Sequence, residues 1–217
     1  RAGLSGVLRE GAHFKEALEV IQPAYAKAQK VFGLDHPSAL VMAHHVGLLL
    51  SANGGSAEAE TLLVDALERC RRVLGPDHPT TLFTWHDLFQ TRALSKRFEI
   101  SEADAADLID LIARMTKAFG EDHRDTLLMR ADLARVYSGK SRRADAIAIL
   151  SDILPRLQKT MGPTHYMTLS VEMRLGTNIG LNGDWTAAEP LLANAYQHYS
   201  ASGATARDCS SSANYGA

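Results

Sequence analysis

The sequence predicts an all-α protein, an α-solenoid of about five antiparallel helix pairs. Two observations support this prediction. A short segment resembling Gly-Pro-Asp-His-Pro occurs four times, and its glycines are 42, 45 and 42 residues apart, at Gly33, Gly75, Gly120 and Gly162. Between these segments, apolar residues recur with the period of an amphipathic helix, interrupted once by a polar turn. A catalytic loop is normally used once, so a segment used four times indicates a structural joint.

Each copy of the repeated segment, here called a joint, is expected to end one helix and begin the next. In Gly75–Leu82, which reads GPDHPTTL, the glycine can adopt the left-handed conformation that ends a helix. The aspartate that follows can cap the next helix, and Pro79 suits its first turn, where a missing N–H costs nothing. The joint histidines are expected to make a hydrogen bond or a packing contact at the helix start, and they are His36, His78, His123 and His165.

The helices follow in order along residues 1–203. The repeats are predicted over residues 1–34, 35–76, 77–121, 122–163 and 164–203, with two helices in each. These helices are predicted over Ala2–Glu10, Phe14–Phe32, Pro37–Ala52, Ala57–Leu74, Pro79–Ala93, Glu102–Phe119, Arg124–Ser138, Arg142–Met161, Tyr166–Leu181 and Thr186–Ser200. Residues 204–217 are rich in Ser, Ala and Gly without periodicity, which predicts an irregular or disordered tail.

Small residues recur where helices are expected to approach closely. The position fourteen after each joint glycine holds Gly47, Phe89, Ala134 and Gly176, and only Phe89 is bulky. The second helices open with an alanine at Ala17, Ala59, Ala146 and Ala188. Pro23 and Pro155 fall inside predicted second helices and are expected to kink them, unless the helices end early there.

These registers resemble the tetratricopeptide repeats of the long, 42-residue kind found in kinesin light chain. In that kind, G-x-D-H-P-x-T-L leads the first helix and A-E-x-L-L-x-x-A lies in the second. Gly75–Leu82 and Ala59–Ala66 match these motifs closely, and the resemblance covers residues 1–203. It implies helix pairs stacked into a right-handed superhelix, whose concave face is lined by first helices and binds peptides.

Charge, cysteine content and the absence of known catalytic motifs narrow the classes of function to be expected. A net charge of −2 gives no general attraction to nucleic acid or to an anionic membrane, and no apolar stretch is long enough to span a bilayer. With Cys70 and Cys209 alone, a disulfide framework is not expected, which favours a reducing, cytoplasmic location. Since no nucleophile elbow, phosphate loop, dinucleotide fingerprint or zinc-protease motif occurs, we expect neither an enzyme nor a cofactor.

Histidines on adjacent first helices raise the question of a metal. His44, His45 and His86 map to one side of these helices, with Asp87 as a possible fourth ligand. Adjacent residues on a helix diverge by about 100°, so at most two of the three histidines would converge. A polar groove surface is therefore favoured over a zinc site, and we predict no metal.

The register also selects candidate groove residues. In the family, the position twelve after the joint glycine is commonly an asparagine that holds ligand backbone, whereas here it holds His45, Asp87, Asp132 and Arg174. The pattern therefore predicts a ligand with a basic or polar centre and an apolar contact near Phe83. The alternative is that some of these side chains face neighbouring helices. The full candidate set is Val41, His44, His45, Leu48, Phe83, His86, Asp87, Gln90, Leu128, Asp132, Arg135, Ser170, Arg174 and Thr177.

The predicted function is that of a non-enzymatic interaction module, which binds a peptide or a partner segment in the concave groove. The alternative is a regulatory or sensor segment of a larger signalling protein, such as a kinase, an NTPase or a transcription regulator. Self-association through the end helices is a further possibility. Neither nucleic acid nor a membrane is expected as a partner.

Overall fold

The structure, a computed structural model, describes residues 14–95, 102–139 and 142–201. These residues form nine α-helices and no strand, which confirms the predicted all-α class. The helices are α1 (Phe14–Phe32), α2 (Pro37–Ala52), α3 (Ser56–Val73), α4 (Pro79–Ser95), α5 (Glu102–Phe119), α6 (Arg124–Gly139), α7 (Arg143–Met161), α8 (Tyr166–Leu181) and α9 (Trp185–Ala201). The predicted helix Ala2–Glu10 and the predicted tail lie outside the described residues.

The described helices belong to two compact units. The first unit holds α1 to α4 and the second holds α5 to α9, so the two helices predicted within repeat 77–121 fall in different units. In each unit every helix packs against the next one along the chain, and in the first unit α2 also packs against α4. This packing of consecutive helical hairpins is the repeat architecture that the sequence predicted. We call α2, α4, α6 and α8, which follow the joints, first helices, and the others second helices.

The joints have one construction throughout. Gly33, Gly75, Gly120 and Gly162 all have positive φ, between 84° and 99°, the left-handed conformation expected of a helix-ending glycine. Two joints carry an additional hydrogen bond over the turn, in which the hydroxyls of Thr81 and Thr168 donate to the carbonyl oxygens of Gly75 and Gly162 at 2.8 Å.

The joint histidines cap the first helices. In each case Nδ1 accepts a hydrogen bond from the backbone N–H two residues ahead, at 3.2 Å for His36, His78 and His165 and 3.3 Å for His123. His36 and His165 are the N-cap residues of α2 and α8. This confirms the predicted hydrogen bond at the helix start, and at α2 the N-cap is His36 rather than the preceding joint aspartate, Asp35.

Two of the joint aspartates, Asp35 and Asp122, form ion pairs with the second helix instead. Asp35 accepts hydrogen bonds from Arg69 at 3.0 Å and from Arg72 at 2.8 Å, both on α3. Asp122 accepts a hydrogen bond at 2.7 Å from Arg156 on α7. These contacts tie the joints at Asp35 and Asp122 to the second helix of their own repeats.

The predicted close approaches are present inside each unit. A Cβ atom on Gly47 would lie 2.5 Å from Leu63 Cδ2, and one on Gly176 would lie 2.9 Å from Leu192 Cγ. Side chains at these positions would therefore push the paired helices apart. The alanines that open the second helices are all fully buried, at Ala17, Ala59, Ala146 and Ala188. Phe89, the bulky exception, is buried as well.

Prolines do not end the helices that contain them. Pro23 lies inside α1 and Pro155 inside α7, and both helices continue to their joints, so the early ends considered for them do not occur. Pro190 lies inside α9 in the same way. In the described part of the chain, every helix is too short or too polar to span a bilayer.

Candidate functional site

The candidate groove residues all lie on first helices, and each unit contains one set. In the first unit, α2 and α4 carry eight of them, and in the second unit α6 and α8 carry six. The contacts within each set show which side chains the fold brings together.

In the first unit, five side chains form what we call the histidine–aspartate cluster: His44, His45, Phe83, His86 and Asp87. The centre of the cluster is a 2.7 Å contact between His44 Nδ1 on α2 and Asp87 Oδ2 on α4. The His44 ring stacks on Phe83 with centroids 6.2 Å apart, and the His45 ring lies 4.7 Å away. His86 Nδ1 lies 3.9 Å from the other carboxylate oxygen. The fold therefore unites these five predicted residues.

Asp87 is buried, at 7% exposure. Its contact with His44 has the distance of an ion pair but not the geometry of a hydrogen bond, and neither Asp87 Oδ2 nor His44 Nδ1 makes a hydrogen bond. Among the described residues, its only titratable contacts are His44 and His86. A buried carboxylate normally has stronger partners, because leaving it short of hydrogen bonds costs free energy.

The other candidates of the first unit flank this cluster. Gln90 Nε2 lies 3.3 Å from His86 Nε2, one turn along α4. Val41 and Leu48 lie on α2 and are half-buried. Together they give the cluster an apolar and amide surround.

In the second unit, the counterpart of Asp87 has a fixed cation. Asp132 is 5% exposed, and its Oδ1 lies 3.5 Å from Arg135 Nη2, three residues further along α6. Ser170 is buried, Leu128 and Arg174 are half-buried, and Thr177 is exposed. The Asp132–Arg135 pair therefore joins two members of this set.

Among the described residues, no group of three or more His, Cys, Asp or Glu side chains is placed to hold a metal ion. In the histidine–aspartate cluster, the side chains contact one another rather than converging on a common point.

Residues 40–80, from the first turn of α2 to the start of α4, match the family model for the tetratricopeptide repeat. This stretch is a tetratricopeptide repeat. The match includes His44 and His45, and it ends before the remaining members of the histidine–aspartate cluster. Tetratricopeptide repeats generally mediate interactions between proteins.

Solved structures extend the likeness to nearly the whole chain. The nearly identical TPR-like repeats of a Podosopora anserina kinesin light chain-like protein match with a TM-score of 0.68 at 22% identity, covering 93% of this chain and 94% of that one. A single-substitution variant of those repeats gives a TM-score of 0.70 at the same identity and coverage. BtubC (BKLC) from P. vanneervenii gives 0.72 at 16% identity, covering 93% of this chain and 79% of its own. No curated protein matches the sequence. The structural likeness confirms the tetratricopeptide repeat fold of the kinesin light chain kind.

One polar contact between first helices was not predicted from the sequence. Ser138 on α6 donates a hydrogen bond at 2.7 Å to the side chain of Asn178 on α8, which in turn donates to the Arg174 carbonyl at 2.8 Å. Asn178 is buried, and the same repeat position elsewhere holds Leu49, Thr91 and Val136. The sequence does carry a signal for this contact, because Asn178 has an amide at a repeat position where the other repeats have an apolar or hydroxyl side chain.

Proposed function

We propose that the protein binds segments of partner proteins on the first helices of its units, and that this binding, without catalysis, is its function. The observation that supports the proposal most is the distribution of buried polar side chains. Every buried polar side chain of the described residues lies on a first helix, and these are Ser51, Thr80, Thr81, Thr84, Asp87, Thr91, Thr126, Asp132, Thr168, Ser170, Glu172 and Asn178. Among the described side chains, second helices bury apolar groups and the Cys70 thiol.

This asymmetry favours a recognition role for the first helices. Burying a polar group costs free energy unless it is hydrogen-bonded, and the joints account for Thr81 and Thr168, whereas Asp87 Oδ2 makes no hydrogen bond. Amide, hydroxyl and carboxylate groups are also those that bind the backbone and side chains of a peptide. The half-buried apolar residues Val41, Leu48 and Leu128 would supply the nonpolar contacts.

Selection of short random peptides displayed on phage tests this proposal. Peptides selected on the purified chain are expected to lose affinity by about tenfold or more with Leu48→Glu where they bind the first unit, and with Leu128→Glu where they bind the second, because each change places a charge on a half-buried first-helix position. Fluorescence anisotropy with a labelled selected peptide measures the loss.

Second helices provide the matched controls. Val64 on α3 is 42% exposed and Ile109 on α5 is 48% exposed, so Val64→Glu and Ile109→Glu make the same chemical change in each unit away from the first helices. Both are expected to leave the affinity within about twofold of the parent. Equal losses from the two kinds of variant, or failure to select any peptide, would contradict the proposal.

A further inference from the structure

Repeat register exposes a difference between the two buried aspartates. Asp87 and Asp132 both stand twelve residues after a joint glycine, and both are more than nine-tenths buried. Three residues after Asp132 comes Arg135, whose guanidinium contacts that carboxylate. Three residues after Asp87 comes Gln90, which carries no charge. The second unit thus places a guanidinium against this carboxylate, and the first unit places an imidazole there.

The surroundings of Asp87 suit a cation supplied from outside. Among the described residues, the titratable groups that contact its carboxylate are both imidazoles, and the contact with His44 lacks hydrogen-bond geometry. A guanidinium or ammonium forms strong, charge-assisted hydrogen bonds with a carboxylate, whereas the imidazole of His44 makes none with Asp87 Oδ2. Phe83 and the rings of His44 and His45 offer flat surfaces on which a guanidinium can stack.

We propose that the histidine–aspartate cluster binds a basic side chain of the partner segment, which takes the place at Asp87 that Arg135 takes at Asp132. The inference rests on the proposed function and names the chemistry of its ligand. The incoming cation displaces the His44 imidazole from Asp87 Oδ2, and its aliphatic stem packs beside Phe83. Arginine fits this site best, since it can stack and donate two hydrogen bonds at once.

The peptide itself provides a test that leaves the protein unchanged. Peptides selected on the chain are expected to carry arginine or lysine, and replacing that arginine by citrulline, which keeps the shape but removes the charge, should weaken binding by about tenfold or more. Asp87→Asn should weaken the arginine peptide similarly and leave the citrulline peptide almost unaffected, as a double-mutant cycle requires for a direct pair.

Gln90→Arg tests the register argument directly. It installs the internal cation that the second unit has, so it should weaken the arginine peptide by about tenfold while leaving the fold intact by circular dichroism. Glu68→Gln and Val64→Arg, at exposed sites on α3, make the same changes of charge in the same unit and are expected to alter the affinity by less than about twofold.

The possible outcomes separate this inference from the function on which it rests. If peptides bind and Leu48→Glu weakens them, yet citrulline or Asp87→Asn changes nothing, the cation site is overturned and the groove stands. Selection of acidic peptides without any basic residue also overturns the site. If no peptide binds the first helices, both proposals fall together.

Discussion

Arg69 on α3 donates a hydrogen bond to Asp35, which lies 34 positions earlier in the joint before α2, at 3.0 Å. Arg156 and Asp122 repeat this relationship at 2.7 Å with the same separation. Because the two pairs lie in different units, the joint aspartate serves the same purpose in both, which is to fix the second helix against the start of its own repeat.

Replacing Asp35 should make the stability of the folded protein vary less with pH in the acid range. Hydrogen bonds from Arg72 and then from Arg69 lower the pKa of this carboxyl, so the unfolded chain takes up the proton first as the pH falls. The contribution to stability is complete above the ordinary aspartate pKa of about 3.9 and is lost below it. Asp35→Asn should lower Tm slightly at neutral pH, and the difference from the parent should shrink in acid. Thermal melts over a pH series measure this, with Glu68→Gln as the exposed control.

The capping hydrogen bond at His165 should make stability depend on pH in a range above that of Asp35. Burial, and secondarily the charge of Arg124, lower the pKa of this imidazole, so its contribution is complete above the ordinary histidine pKa of about 6.5 and declines as the pH falls below it. His165→Asn keeps a capping acceptor but removes the titration, and should flatten the Tm profile between about pH 7 and pH 5.

The matched variant for this test is His165→Ala, which removes both the cap and the titration. It should cost about 1 kcal/mol of the free energy of unfolding at neutral pH, because the backbone N–H of Met167 loses its acceptor. An unchanged Tm profile in His165→Asn would show that the pH dependence has another source.

Gly47→Ala should destabilise the first unit, although alanine is the better helix former. The gain in helix propensity is about 1 kcal/mol, but the new methyl group meets Leu63, a fully buried side chain that has little room to move. Overpacking of this kind typically costs about 1–3 kcal/mol, so we expect a net loss of up to about 2 kcal/mol in denaturant unfolding. Gly139→Ala is the control, because a Cβ there meets nothing within 4 Å, and it should be neutral or stabilising.

The buried Cys70 thiol should resist modification in the folded protein. Burial raises its pKa, an effect that a hydrogen bond with Thr84 offsets in part, and the thiolate is the reactive form. In a Cys209→Ser background, a thiol reagent should label Cys70 slowly until denaturant is added. Val64→Cys combined with Cys70→Ser puts the single thiol on the exposed face of the same helix, and it should react at once. Equally fast labelling of the two proteins would contradict the burial.

The helices could be predicted from the sequence because the residues that determine them lie within or next to each helix. The joint glycines have the positive φ that was expected to end each helix. The spacing of apolar residues located the helices between these glycines. Helix capping was predicted less well. Asp35 and His36 are adjacent and both can accept a hydrogen bond, and the choice depends on Arg69 and Arg72, which reach Asp35 from another helix.

The candidate site shows the same limit. Register placed His44 on α2 and Asp87 on α4, on neighbouring first helices, but it could not show that their side chains meet at 2.7 Å. That contact depends on how far one helix is shifted along the other, which the packing of the intervening α3 decides. Register also did not show that Arg135 pairs with Asp132, because Arg135 had been placed among the residues expected to contact the ligand. The ligand assigned to the groove stays a prediction.

The confinement of buried polar groups to alternate helices has a practical consequence for engineering. Since the buried side chains of α3 and α7 meet only packing demands, a combinatorial library could hold these helices constant and randomise polar positions of α2, α4, α6 and α8. Specificity could then be rewritten on half of the helices without redesigning the interior that the other half supplies.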